Sequence, residues 1–370
     1  MDVTAIFLVL SSRPCSLASG RPAPALTWIK AARRWFWRHA GMSESGTIQV
    51  FALAASRAYG DCVSGHLEIP LSPMEERAFE DGEHKTRPLV GVRGHDVYVI
   101  QSLYAEPGES VNDKLCRLLF FIGALKDASA ARVTAVVPYL GYARKDRKSQ
   151  LRDPVTTKYV AEMFEAVGVD KVMTMDAHNP AAFQNAFRRP TDHLEAIGLF
   201  TDHLAPMLRD AGGGGGGGGD VAVVSPDIGG AKRAAQLRVA LARALGHEPS
   251  AAFVDKQRAG GVVGGGTLVG DVRGRTAVVI DDLIGSGTTI RIAAKACRAA
   301  GATRVIVAAT HGLFLGSAAE VVADPAIDRV VVADTVPPFR LPIETVSQKL
   351  AILDSARVFA DAIYRNHTAD

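Results

Sequence analysis

No apolar run in this 370-residue chain approaches the ~20 residues needed to cross a bilayer, so no membrane-spanning helix is expected. The apolar start AIFLVL has no basic stretch before it and makes a poor secretory signal. Cysteine is scarce: Cys15, Cys62, Cys116 and Cys297 stand far apart and form no CxxC pair. That spacing argues against a zinc site and a disulfide framework, and fits a reducing cytosol. A broadly basic surface is also missing. The formal charge is +3, but residues 1–41 hold six bases (Arg13, Arg21, Lys30, Arg33, Arg34 and Arg38) and one acid, Asp2. The remainder carries 36 bases against 38 acids, so no nucleic-acid partner is inferred.

What is present suits a soluble protein of two ordinary domains: 48% hydrophobic and 22% charged residues. Residues 1–46 read as an unstructured extension, with Met42 as a candidate true start. Their basic, aromatic cluster Trp28–His39 is also what a membrane-surface or partner helix would carry. From Gly46 onward, strands alternate with helical patterns, which argues for parallel α/β sheets. Residues 97–101, 133–137, 172–175, 221–224, 278–280, 305–309 and 330–332 are strand-like. Val111–Lys126 has a helical apolar stripe of Leu115, Leu118, Leu119, Ile122 and Leu125. Eight consecutive glycines, Gly212–Gly219, read as a flexible surface loop, because glycine loses the most entropy on ordering.

The chemistry concentrates in Val278–Ile290, VVIDDLIGSGTTI. The β-branched run Val278–Ile280 suits a strand buried on both faces, ending where Asp281 and Asp282 begin. The small loop Gly285-Ser286-Gly287-Thr288-Thr289 leads into a helix that Gly301 is placed to stop. Such a turn aims backbone N–H groups and hydroxyls at one point by a helix N-terminus, which suits a phosphate. The paired carboxylates suit ribose hydroxyls, or a Mg²⁺ ion riding on phosphates.

This stretch resembles the phosphoribosyl-pyrophosphate (PRPP) motif of type I phosphoribosyltransferases and PRPP synthetases. Five further segments, in order, are similar to the PRPP synthetase family over roughly residues 48–365: Phe79–Glu83 (FEDGE), Val137–Asp146 (VPYLGYARKD), Met173–His178 (MTMDAH), Val224–Gly230 (VSPDIGG), and Asp255–Arg258 (DKQR) with Gly270–Gly274. The chain departs from the family's pattern at Lys145, at Asn179-Pro180 and at Gly285.

The resemblance implies an α/β fold of two tandem type I phosphoribosyltransferase-like domains, each a mainly parallel sheet flanked by helices. The expected layout is 47–198, carrying the ATP and metal segments, then 199–345, carrying the PRPP motif, then a C-terminal helix and tail, 346–370. It further implies a Mg²⁺-dependent, cytoplasmic ribose-phosphate diphosphokinase, assembled as a homo-oligomer, often a hexamer. In that reading Asp81, Gly82, Glu83, Arg144 and Lys145 bind ATP. Asp281, Asp282, Gly285, Ser286, Gly287, Thr288 and Thr289 bind D-ribose 5-phosphate. His178 and Asp227 serve the metal, and Lys256 and Arg258 form a mobile cationic clamp on a glycine-rich segment. Transfer of a diphosphoryl group needs cations and positioned donors more than covalent catalysis, which agrees with these residue types. A PRPP-consuming phosphoribosyltransferase would lack FEDGE, TMDAH and DKQR. A non-catalytic regulatory subunit would be expected to have lost the lysine–arginine pair or His178, and this chain keeps both.

Overall fold

The computed structural model describes residues 46–210, 220–259 and 262–368; the arm 1–45 and the glycine run lie outside them. In chain order, β1 (Ile48–Ala52) and α1 (Arg57–Leu67) precede a hairpin of β2 (Met74–Ala78) and β3 (His84–Pro88). Then come β4 (Asp96–Ile100), α2 (Val111–Asp127), β5 (Arg132–Val137), α3 (Thr156–Ala166), β6 (Lys171–Met175), α4 (Pro180–Ala186) and β7 (Thr191–Leu194). Strands β1-β4-β5-β6-β7, in that spatial order, make a parallel sheet.

After α5 (Ile197–Asp210) follow β8 (Val221–Ser225), α6 (Ala231–Leu245), β9 (Ser250–Ala259), β10 (Val262–Gly270), β11 (Thr276–Ile284) and α7 (Thr288–Ala299). The chain closes with β12 (Arg304–Gly312), α8 (Ala318–Ala323), β13 (Arg329–Ala333), α9 (Ile343–Lys349), β14 (Leu350–Leu353) and α10 (Ala356–Thr368). Their sheet runs β10-β9-β8-β11-β12-β13-β14, parallel except for the antiparallel β9–β10 edge. The fold is thus α/β with two mainly parallel sheets, as the sequence led us to expect.

Local chemistry accounts for most elements. The predicted stripe of α2 is buried on one side, and the helix opens with a capping box. There Asp113 N donates to Ser110 Oγ (3.2 Å) and Ser110 N to Asp113 Oδ2 (2.7 Å). Helix α7 gives way to Gly301 at φ +91°, a conformation glycine adopts at no steric cost. Val278, Val279 and Ile280 are wholly buried, as a strand covered on both faces requires.

Two expectations are corrected. Strand β11 does not end at the acid pair: it stays paired with β12 as far as Ile284↔Gly312, while its pairing with β8 stops at Val279↔Val224. The aspartates therefore sit within a strand that has lost one neighbour. The segment read as a mobile glycine-rich loop is the β9–β10 hairpin, in which Lys256 pairs with Gly266 and Arg258 with Val263. Glycine serves close packing there: a Cβ on Gly266 would lie 2.4 Å from Val254 Cγ1 and 3.0 Å from Ile292 Cγ2.

One apolar cluster is common to both sheets, uniting Val50, Tyr98 and Met173 with Val223, Ile280 and Ile306 through Phe200 of α5 and Phe359 of α10. Each such side chain contributes roughly 1.5–3 kcal/mol when fully buried. Helix α5 runs across the expected division at 198/199. The C-terminal helix is tied to the first sheet: Asn366 Nδ2 donates to the Tyr98 hydroxyl (2.7 Å), and His367 Nδ1 lies 2.8 Å from Asp96 Oδ2. Among the described residues Cys62, Cys116 and Cys297 form no disulfide with one another, and no helix is long and apolar enough to cross a membrane.

Candidate active site

In open α/β sheets, ligands bind beyond the carboxyl ends of the parallel strands. Here a cavity of about 1380 Å³ opens at that place, where β6 of the first sheet faces β8 and β11 of the second. Its floor is the turn after β11. Gly287 has φ +77°, and an added Cβ would lie 2.9 Å from Val321 Cγ1, so only glycine fits. Gly285 is different: its Cβ would meet only Leu283 Cδ1, at 3.7 Å. Ser286 Oγ and Thr288 Oγ1 lie 3.1 Å apart, and no acidic residue occupies the first turn of α7. The expected loop, Gly285 to Thr289, lines the cavity as a unit.

Asp281 and Asp282 stand above it with unequal protonation. Burial, reinforced by the adjacent Asp282 carboxylate, pushes Asp281 up to about 8. Burial also opposes charge on Asp282, but hydrogen bonds from His178 and Asp281 and the charge of Arg233 outweigh it and hold Asp282 well below the usual carboxylate range. His178 Nδ1 lies 2.6 Å from Asp282 Oδ2, and this bond, working against burial, raises the imidazole's pKa. Arg233 Nη1 completes the group, 3.5 Å from Asp282 and 3.8 Å from Asp281.

Asp227 lines the same cavity and spends Oδ1 on Gly230 N (3.1 Å), fixing the SPDIGG turn. Arg144 also lines it. Lys145 does not: its Nζ is held by Asp153 (2.5 Å) and Ser149 (3.1 Å). Asp81, Gly82 and Glu83 form the exposed tip of the β2–β3 hairpin, where Glu83 N donates to Asp81 Oδ1 (3.1 Å), and they do not line the cavity. The backbones of Lys256 and Arg258 belong to β9 near the sheet edge, and their side chains lie outside the described residues.

Two family models match the chain. One, for the N-terminal domain of ribose phosphate pyrophosphokinase, covers residues 48–168; the other, the phosphoribosyl synthetase-associated domain, covers 263–370. Ribose-phosphate pyrophosphokinase 1 of Lactococcus lactis is 36% identical over 321 residues, 86% of this chain and 93% of its own. The chain belongs to the ribose-phosphate pyrophosphokinase family. The Ureaplasma parvum ribose-phosphate pyrophosphokinase is 38% identical over 300 residues, 80% of this chain and 86% of its own. A crystal structure of the phosphoribosylpyrophosphate synthetase from Mycobacterium smegmatis superposes with a TM-score of 0.77, at 32% identity over 88% of this chain and all of that one.

For a pyrophosphokinase, the residue that sequence reasoning missed is Arg233. It stands three residues after the last glycine of the SPDIGG turn, and Lys232-Arg233 is a basic doublet in the first turn of α6. Cations are disfavoured at a helix N-terminus, so a doublet placed there was a signal of service to an anion. Among the described residues no group of three or more His, Cys, Asp and Glu forms a metal cage. Asp227 and His178, which both line the cavity, are the donors available to Mg²⁺, an ion that keeps several waters and commonly binds through one or two carboxylates together with substrate phosphates.

Proposed function

We propose that this chain transfers the β,γ-diphosphoryl group of ATP to the C1 hydroxyl of D-ribose 5-phosphate, giving PRPP and AMP. The C1 oxygen bonds to the β-phosphorus, the bond from that phosphorus to the α–β bridging oxygen breaks, AMP leaves with that oxygen, and the hydroxyl proton is released. The observation that carries this reading is the juxtaposition of His178 with Asp282 in a cavity that also holds the phosphate loop, Arg144 and Asp227.

In this reading the loop 285–289 binds the 5-phosphate through backbone N–H groups, hydroxyls and the α7 N-terminus. Asp281 and Asp282 then face the ribose hydroxyls, with Asp282 as a charged acceptor. Arg144 and Arg233 draw in the triphosphate. Asp227, and His178 through Nε2, would hold Mg²⁺, which offsets phosphate charge when bound. Lys256 and Arg258 stabilise charge on the transferring group. The tip Asp81–Glu83 lies outside this cavity, so we assign it to the adenine end of ATP in an assembly of several copies. The test is formation of AMP and PRPP from ATP and ribose 5-phosphate, with and without Mg²⁺. Absence of both products with Mg²⁺ present rejects the assignment.

A further inference from the structure

Three strands of the first sheet end against the same few side chains of the second. Thr310 and His311 lie on β12 and Thr335 just beyond β13, and all three are buried. Thr310 Oγ1 donates to Asp176 Oδ2 (2.5 Å), an oxygen that also accepts Ala196 N (3.2 Å). His311 Nε2 lies 3.0 Å from the Met175 carbonyl, and its Nδ1 lies 2.8 Å from Thr335 Oγ1. Burial pushes the His311 pKa down. The Met175 carbonyl can only accept, so Nε2 donates to it, and Thr335 Oγ1, beside Nδ1, itself donates to the Thr310 carbonyl (3.2 Å). Ser102, just past β4, donates through Oγ to the Thr335 carbonyl (2.7 Å) and accepts Tyr139 N (3.2 Å). The Tyr139 ring, beyond β5, packs against His311 with centroids 4.9 Å apart.

Met175 and Asp176 are thus both held by β12, through His311 and Thr310. Asp176 has φ +38°, in a region that non-glycine residues enter only when their surroundings hold them there. That bend turns the chain from β6 into His178. Strand β12 meanwhile pairs with β11 at Asp281↔Ala309 and Leu283↔His311, on either side of Asp282. One strand therefore grips both the turn that carries His178 and the strand that carries Asp282.

We propose that Thr310 and His311 are positioning residues that set the distance between His178 and Asp282 across the two sheets. The role in turnover rests on the diphosphoryl-transfer reading of the same site. Thr310→Val keeps the shape and removes the hydroxyl. It should lower kcat at least tenfold with KM for both substrates within about threefold, and Thr310→Ser should restore kcat to within about threefold. In a His178→Ala background, Thr310→Val should cost less than about twofold more, because the geometry it supports is already lost. Equal losses in both backgrounds would make Thr310 merely structural and overturn the proposal. If Thr310→Val does not fold, Thr335→Val, which removes the hydroxyl between His311 and Thr310, is read in the same way. Amide hydrogen exchange over residues 175–179 tests the clasp without turnover: faster in the Val variant, native-like in the Ser variant. A native chain that makes no AMP defeats the functional reading alone, whereas unchanged exchange in the Val variant defeats the clasp.

Discussion

His178 Nδ1 and Asp282 Oδ2 meet at 2.6 Å although 104 residues separate them in the chain. The histidine comes from the turn after β6 of one sheet and the aspartate from β11 of the other. A carboxylate that is 4% exposed keeps its charge because an imidazole donates to it and Arg233 stands 3.5 Å away. With Nδ1 committed to Asp282, the metal role proposed for His178 falls to Nε2. The two halves of the chain thus form one site, closed by a charge-assisted bond.

The neighbouring aspartate gives a pH-dependent test. Asp281 is pushed up to about 8 in the folded chain, against about 3.9 for an unperturbed aspartate. Between those values the folded chain keeps a proton that the unfolded chain has released, so stability falls as pH rises through the window. Asp281→Asn removes that slope. Its gain in Tm over the native chain, measured with EDTA present, should be at least ~2 °C larger at pH 8 than at pH 5. A gain independent of pH would show that Asp281 is already ionised in the folded state.

Lys256 is expected to act only as charge moves in the transition state. Lys256→Ala should then lower kcat at least about a hundredfold, about 2.7 kcal/mol, with KM for ribose 5-phosphate nearly unchanged. Unaltered kcat in steady-state assays would leave Lys256 as a solvated residue on the β9–β10 hairpin.

The two glycines of the loop should behave oppositely. Space around Gly285 admits a side chain, so Gly285→Asp should change KM for ribose 5-phosphate by less than about tenfold, roughly 1.4 kcal/mol. Gly287→Ala forces a Cβ against Val321 at φ +77° and should cost roughly 1–3 kcal/mol of stability, read by denaturant melts. Thr289→Val should impair ribose 5-phosphate binding more than Gly285→Asp does, because it takes a hydroxyl from the loop. A strong gain from Gly285→Asp together with a silent Thr289→Val would contradict this account of the loop.

Residues 1–41 read from the sequence as an extension outside the fold, so a chain starting at Met42 should retain full activity and an unchanged Tm. A large loss of either would mean that the Trp28–Trp37 cluster packs on the body or in a subunit contact.

The sequence by itself determined what short-range physics writes into neighbouring residues. The strand cores, the α2 stripe, the turn at Gly285–Thr289 and the ordered family segments were all legible, because periodicity, caps and glycine placement are local properties. Other features depended on partners far along the chain. Asp281 and Asp282 lie within β11 because β12 continues to pair beyond them, and Gly266 serves a hairpin because Val254 and Ile292 press on it. Lys145 is drawn to Asp153 instead of the cavity, and Asp81–Glu83 stands apart from it. Arg233, Thr310 and His311 carry no motif that announces their contacts with Asp282, Asp176 and Met175. Those contacts, and the unequal protonation of the two aspartates, arise only when the sheets close on each other, since burial and cross-sheet hydrogen bonds have no counterpart in local sequence.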